Sequence, residues 1–258
     1  MFYLYSSREN ANQGKPQGGC GFLIDVRSTR TGQNYRYAVT NIHVAFQGGT
    51  WARVNTADGS VEVFEIPQGT WKPHPDGDDV AVAAFRPPQD TDLDIAAIQW
   101  EDLVGETREQ WEARASELNV GVGDDVFMIG RFIAHDGGQR NEPLARFGNI
   151  AMMPGEPVKD GRDLLVTAYL IEMRSLPGFS GSPVFLCIGA GSYRGVYGSD
   201  GKAKMMPFYT ETVGLLGIDT GHKMLSLEVR DKQTRREAQV PWYVLQNTGV
   251  SIVAPASK

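Results

Sequence analysis

The stretch LPGFSGSPVF, residues 176 to 185, places Ser180 just before Gly181-Ser182-Pro183 and two residues after Gly178. A serine hydroxyl becomes a nucleophile only when a base takes its proton and a carboxylate orients that base. The same residues also suit an ordinary turn that feeds the apolar strand Val184-Phe185-Leu186. An imidazole titrates near neutrality, so histidine is the natural base. The chain offers four: His43, His74, His135 and His222. His43 closes the alternating stretch YAVTNIHV, His74 and His135 stand in the turn contexts KPHPDG and AHDGG, and His222 ends DTGH. A histidine at a strand end does not by itself distinguish a base from a core or surface residue; its company does.

The elements that must position these groups read as short strands punctuated by Gly, Pro, Asn and Asp. Strands are expected at 21–26, 35–42, 52–56, 61–66, 79–85 and 93–100. The pattern then changes. ETREQWEARASELNV, 106–120, has no Gly or Pro and spaces Trp111, Ala115 and Leu118 among charges, which predicts a helix. Strands resume at 124–132, 144–153, 164–173, after Ser180, and at 214–220, 223–229 and 249–254. Residues 189–208, rich in Gly and Ser, read as a long loop that could border a cleft. No repeat is visible. Two runs of strands joined by a helical linker point to an all-β chain of two barrels or sandwiches.

Bulk properties narrow the function. The chain has 258 residues, 41% hydrophobic and 22% charged, with a net charge of -6. That is the balance of a globular protein. An acidic chain whose one basic run, Lys232 to Arg236, is broken by Gln233 and Thr234 gives no reason to expect nucleic acid as a partner. No apolar stretch approaches the ~20 residues of a membrane helix, and no membrane partner is expected. The opening MFYLYSSREN lacks the basic and apolar segments of an export signal, so a cytoplasmic location is expected. In that setting Cys20 and Cys187 are expected as reduced, buried thiols. No metal and no cofactor is expected.

In order along the chain, GCGFLI, VTNIHV, DDVAV, VGDDVFMIG, PGFSGSPVF and LLGIDT…GVSIVAPA resemble trypsin-like serine peptidases. The resemblance is greatest to the bacterial, intracellular kind, and Ser-Gly-Ser-Pro is shared with glutamyl endopeptidases. It spans nearly the whole chain; each motif is weak alone, and their order is the signal. It implies two chymotrypsin-like β-barrels: residues 1–105 with the His and Asp of a triad, a helical linker at 106–119, and residues 120–258 with the Ser, the oxyanion hole and the specificity pocket. The implied activity is that of a serine endopeptidase acting through an acyl-enzyme, with His43, Asp79 and Ser180 as the triad and a protein or peptide as substrate. The N–H groups of Gly178 and Ser180 would bind the oxyanion. Two other carboxylates compete with Asp79. Asp78 is adjacent, but a shift of one residue along a strand reverses its face. Asp94, in LDIAAI, has a similar setting, and the preceding HPDGD favours Asp79. An α/β-hydrolase would need G-x-S-x-G with its His last, whereas Ser182 stands at the second flank here.

The chain also departs from the secreted members of that family. Phe179 replaces the Asp that pairs with a freed α-amine, so activity should not need N-terminal processing, and trimming a few residues should be harmless. Arg174, six residues before Ser180, would favour a substrate carboxylate. Asp219 stands where glutamyl endopeptidases carry a His and could pair with Arg174, or both side chains could point to solvent. Thr220 and Gly221 would pair with an extended substrate. Two other readings stay open: a catalytically silent relative that only binds extended peptides in the cleft between the barrels, and a structural β-protein in which His43 and Ser180 lie far apart. No regulatory domain such as a PDZ module is expected after residue 255.

Overall fold

The computed structural model describes residues 1–100, 108–134, 137–160, 162–190, 193–197, 203–207, 212–229 and 242–257. The N-terminal part makes an eight-stranded sheet. Its strands are β1 (Phe2–Tyr5), β2 (Gly19–Arg27), β3 (Asn34–Thr40), β4 (Trp51–Asn55), β5 (Val61–Glu65), β6 (Lys72–Pro73), β7 (Ala81–Ala84) and β8 (Ala97–Gln99). They run in spatial order β5-β4-β1-β2-β3-β7-β6, and β8 pairs with β2.

β1 carries four apolar or aromatic residues in a row, Phe2 to Tyr5, each 0% exposed. It lies between β2 and β4, and both of its faces are covered. A strand buried on both faces has no polar alternation, so a period-2 reading passes over it. Its position also corrects the expectation about trimming: removing the first few residues would delete an inner strand, whatever the chemistry at Ser180 requires.

β2 divides its side chains between two cores, as a pleated strand must. Leu23 packs with Phe2, Leu4, Ala38 and Phe64 inside the first sheet. Phe22 and Ile24, on the opposite face, pack with Met128, Leu186 and Ile218 of the C-terminal part. Each fully buried side chain of this kind stabilises by about 1.5–3 kcal/mol, so the shared strand joins the two halves strongly.

The helix Arg108–Glu117 follows the first sheet. Trp111 is its buried anchor, 2% exposed, and Ala115 and Leu118 pack against the same core, the spacing the sequence predicts. The start of the expected linker, residues 106 and 107, lies outside the described residues.

The C-terminal part contains β9 (Asp125–Gly130), β10 (Leu144–Met152), β11 (Val158–Lys159), β12 (Leu165–Val166), β13 (Tyr169–Glu172), β14 (Pro183–Ile188), β15 (Tyr193–Tyr197), β16 (Ala203–Pro207), β17 (Thr212–Glu228) and β18 (Tyr243–Pro255). Six of them close into a barrel, β10-β13-β18-β17-β14-β9. β11–β12 and β15–β16 are separate hairpins. The second hairpin lies where the sequence reads as a loop; Tyr193 to Tyr197 pairs with Ala203 to Pro207 despite the surrounding glycines. The segments 214–220 and 223–229, expected as two strands, are one. β17 runs through both, absorbing register shifts between Asp219 and Gly221 and between His222 and Met224.

Candidate active site

β3 ends at Thr40, and the chain turns through Asn41 into the short helix Ile42–Phe46. Two buried polar side chains fix this turn. Thr40 Oγ1 donates to the Cys20 carbonyl at 2.7 Å, and Asn41 Nδ2 donates to the Asp79 carbonyl at 2.8 Å. The turn delivers His43 to a carboxylate that uses both oxygens on it. The His43 backbone N–H donates to Asp79 Oδ1 at 3.0 Å, and His43 Nδ1 lies 2.6 Å from Asp79 Oδ2. With its proton on Nδ1, the ring keeps Nε2 unprotonated and available as a base.

Asp79 is 5% exposed. Burial alone would push its carboxyl up. The hydrogen bond from the His43 ring, the ring's charge, the His43 backbone N–H and the Arg162 guanidinium outweigh it and hold the carboxyl below the usual carboxylate range. The two competing carboxylates have other partners. Asp78 turns instead to His74 Nδ1, at 3.4 Å. Asp94 is exposed and pairs with Arg140 Nη2 at 3.0 Å. His222 is half-buried, which lowers its pKa, and lies opposite Ser251 in the β17–β18 ladder. His135 lies outside the described residues.

Ser180 sits on a loop tied down at almost every residue. The Phe179 N–H donates to Leu176 O (3.1 Å), Gly181 N–H to Asp219 O (3.1 Å) and Ser182 N–H to Phe179 O (2.9 Å), while Ser180 O accepts from the Cys20 N–H (2.9 Å). Gly178 and Gly181 adopt φ of 96° and 89°, where an L side chain is strained. Among the described residues, neither the Gly178 nor the Ser180 N–H donates to a backbone carbonyl. Phe179 is 0% exposed with the Arg146 guanidinium 5.4 Å from its ring centroid. Ser180 and His43 line one cleft, together with Gly18, Gly19 and Gln47. Beneath it the Cys20 thiol is fully buried, which raises its pKa to about 11 despite a hydrogen bond with Ser182; it is no nucleophile. Cys20 is buried and Cys187 half-buried, and neither forms a disulfide among the described residues.

The specificity candidates part company. Arg174 is exposed, whereas Asp219 is 0% exposed, and no ion pair joins them among the described residues. Extended neighbours point in opposite directions, and it is Ser175 that turns inward. Ser175 Oγ donates to Asp219 Oδ2 at 3.0 Å, and Ser251 Oγ donates to Oδ1. Burial dominates these two donors and pushes the Asp219 carboxyl up to about 7. Thr220 Oγ1 donates to Ile252 O at 3.1 Å, and Gly221 occupies a register shift of β17 with φ of 145°.

Three participants escaped the sequence reading: Ser175, Ser251 and Arg162. An acidic residue inside the apolar run LLGIDT does demand hydroxyl or cationic partners, but nothing in the sequence says which. Arg162 lies in the turn segment VKDGRD, whose composition carries no period. Its Nη1 stands 3.5 Å from Asp79 Oδ2. Among the described residues, no group of three or more His, Cys, Asp or Glu could hold a metal ion.

The chain is mostly β: a closed six-stranded barrel stands beside a second, mainly antiparallel sheet, the layout of a chymotrypsin-like double barrel, with a histidine–carboxylate pair in one part and a serine between two glycines of positive φ in the other. Three solved structures similar to the chain are all of low identity. The MamO protease domain from Magnetospirillum magneticum, in its apo form, is 18% identical with a TM-score of 0.43, over 73% of this chain and 83% of that one. Deg5 is 15% identical with a TM-score of 0.38, over 83% and 84%. The HtrA-type protease AlgW with a decapeptide is 14% identical with a TM-score of 0.40, over 97% and 64%. No protein-family model and no curated protein matches the sequence.

Proposed function

We propose that this chain is a serine endopeptidase using Ser180 as nucleophile, His43 as base and Asp79 as orienting carboxylate. The observation that carries the reading is the two-point grip of Asp79 on His43, through the backbone N–H at 3.0 Å and Nδ1 at 2.6 Å. A buried aspartate has no structural need for an imidazole held in one tautomer; a general base does. In the proposed reaction Ser180 Oγ attacks the scissile carbonyl carbon while its proton passes to His43 Nε2. The oxyanion receives the N–H groups of Gly178 and Ser180. As the tetrahedral intermediate collapses, the amine leaves with the proton from Nε2, and an ester to Ser180 remains. Water then repeats the sequence and releases the acid.

The substrate runs extended beside Thr220 and Gly221 of β17, pairing by its backbone. Phe179 supports the oxyanion loop by packing rather than by an ion pair, so no freed amine is required. Of the two specificity candidates, Asp219 is the buried one and Arg174 the exposed one.

The test is hydrolysis of a peptide library. The intact chain should cleave a subset of peptides, and Ser180→Ala should lose on the order of 10⁶ in rate. Binding of peptides without cleavage by the intact chain would instead identify a catalytically silent relative.

A further inference from the structure

The β11–β12 hairpin belongs to neither main sheet, yet it reaches the carboxylate that orients His43. At its turn, Asp160 folds the chain onto itself. Asp160 Oδ1 accepts the backbone N–H groups of Arg162 (2.8 Å) and Leu164 (3.0 Å). Asp160 Oδ2 accepts Arg162 Nε (2.9 Å) and Nη2 (2.7 Å). Such a fork-shaped grip fixes the plane of a guanidinium. It leaves Nη1, which lies 3.5 Å from Asp79 Oδ2, the same oxygen that faces His43 Nδ1 at 2.6 Å. Asp78, Asp79, Asp160, Arg162 and Thr220 line one small cavity there.

We propose that Arg162 is a positioning residue of the reaction: the Asp160–Arg162 unit holds Asp79 from the C-terminal half and tempers the negative charge that His43 feels. The inference rests on the triad reading above, although its deciding measurement does not need turnover. Two carboxylates, Asp79 and Asp160, share one cation. Without that cation the cavity keeps its negative charges, and the protonated imidazole gains stability. Without the charge of Asp160, the cation acts on Asp79 alone, and the imidazolium loses stability. The other charged groups near this network are His74 with Asp78 (3.4 Å), the buried Asp219, whose ionisation is coupled to the His43 charge, and the exposed Lys159–Asp163 pair of the same hairpin (3.6 Å). All of them stay in place in the variants below.

The experiment follows the His43 ring by NMR titration in a Ser180→Ala background, with resonances assigned by His43→Gln, and in parallel the pH profile of kcat/KM in the active chain. Arg162→Met should move the ring's titration midpoint, and with it the rising limb of the profile, upward by about half a pH unit, the shift a partly exposed pair can give. On that limb the rate falls by about threefold. Arg162→Lys should recover most of the shift. Asp160→Asn should move the midpoint downward. A ring titration unmoved in Arg162→Met, or displaced in the same direction by Arg162→Met and Asp160→Asn, overturns the proposal. Opposite displacements in a chain that hydrolyses no peptide would uphold the Arg162 coupling and reject the peptidase reading.

Discussion

Gly181 and Cys20 are packed backbone against backbone: a Cβ added at Gly181 would stand 1.9 Å from the Cys20 carbonyl oxygen. The same Cys20 donates its N–H to Ser180 O at 2.9 Å, and its carbonyl accepts Thr40 Oγ1 at 2.7 Å. Thr40 is the last residue of the strand that leads to His43. The loop bearing the serine and the turn bearing the histidine are therefore registered through one residue of β2, and the missing side chain at Gly181 makes that approach sterically possible.

Gly181→Ala should accordingly be costly in two ways. The methyl group meets backbone that cannot swing aside, and φ of 89° adds strain of its own. A loss of at least about 2 kcal/mol is expected, measured by urea denaturation, with peptidase activity lost in whatever protein remains folded. A Gly181→Ala chain of unchanged stability would show that the halves do not meet as described.

Asp79→Asn tests the orienting carboxylate. The amide keeps the shape but presents the wrong proton pattern to His43 Nδ1, and a rate loss of roughly 10⁴ is expected. Asp94→Asn should leave the rate within about twofold, because Asp94 is an exposed partner of Arg140. The acid side of the stability profile adds a second readout. Asp79 has a lowered pKa in the folded chain, so its contribution is present above the unfolded value and is lost as pH falls through the folded one. Asp79→Asn should flatten that acid loss.

How far the residues announced this site depends on what held them. The strand β2 and the stretch leading into β7 alternate or run apolar in the ordinary way, and the motifs around His43, Asp79 and Ser180 stood in a recognisable order. β1 escaped because burial on both faces erases alternation. The hairpin β15–β16 escaped because its glycines outweigh the β-favouring Tyr193, Val196 and Tyr197 in a composition reading. Arg174 could not be oriented because one residue of register decides whether it or Ser175 faces inward. Arg162 was invisible for a different reason: its contact with Asp79 is made by a turn folded on Asp160, and no local pattern encodes a tertiary ion pair.

Asp219 predicts a pH effect of opposite sign to that of Asp79. Its folded pKa is raised to about 7, so the folded state favours the neutral acid. That contribution is fully present below the unfolded value, near 3.8, and is lost as pH rises through about 7. Asp219→Asn, which still offers an acceptor to Ser175 or Ser251, should remove the part of the stability decline between those two pH values that Asp219 causes. Denaturation curves of the two proteins across that window should converge at the acid end and separate toward neutrality; parallel curves would show that the buried carboxyl ionises as freely as in water.

The most direct measurement on the central claim is labelling of the intact chain by a fluorophosphonate probe, located by peptide mass spectrometry. Phosphonylation needs an activated serine, a base to take its proton and donors for the developing oxyanion, all in one place. A single adduct is expected on Ser180, absent in Ser180→Ala and strongly slowed in His43→Ala and Asp79→Asn. No adduct on the folded chain, or an adduct on another serine that survives Ser180→Ala, would contradict it.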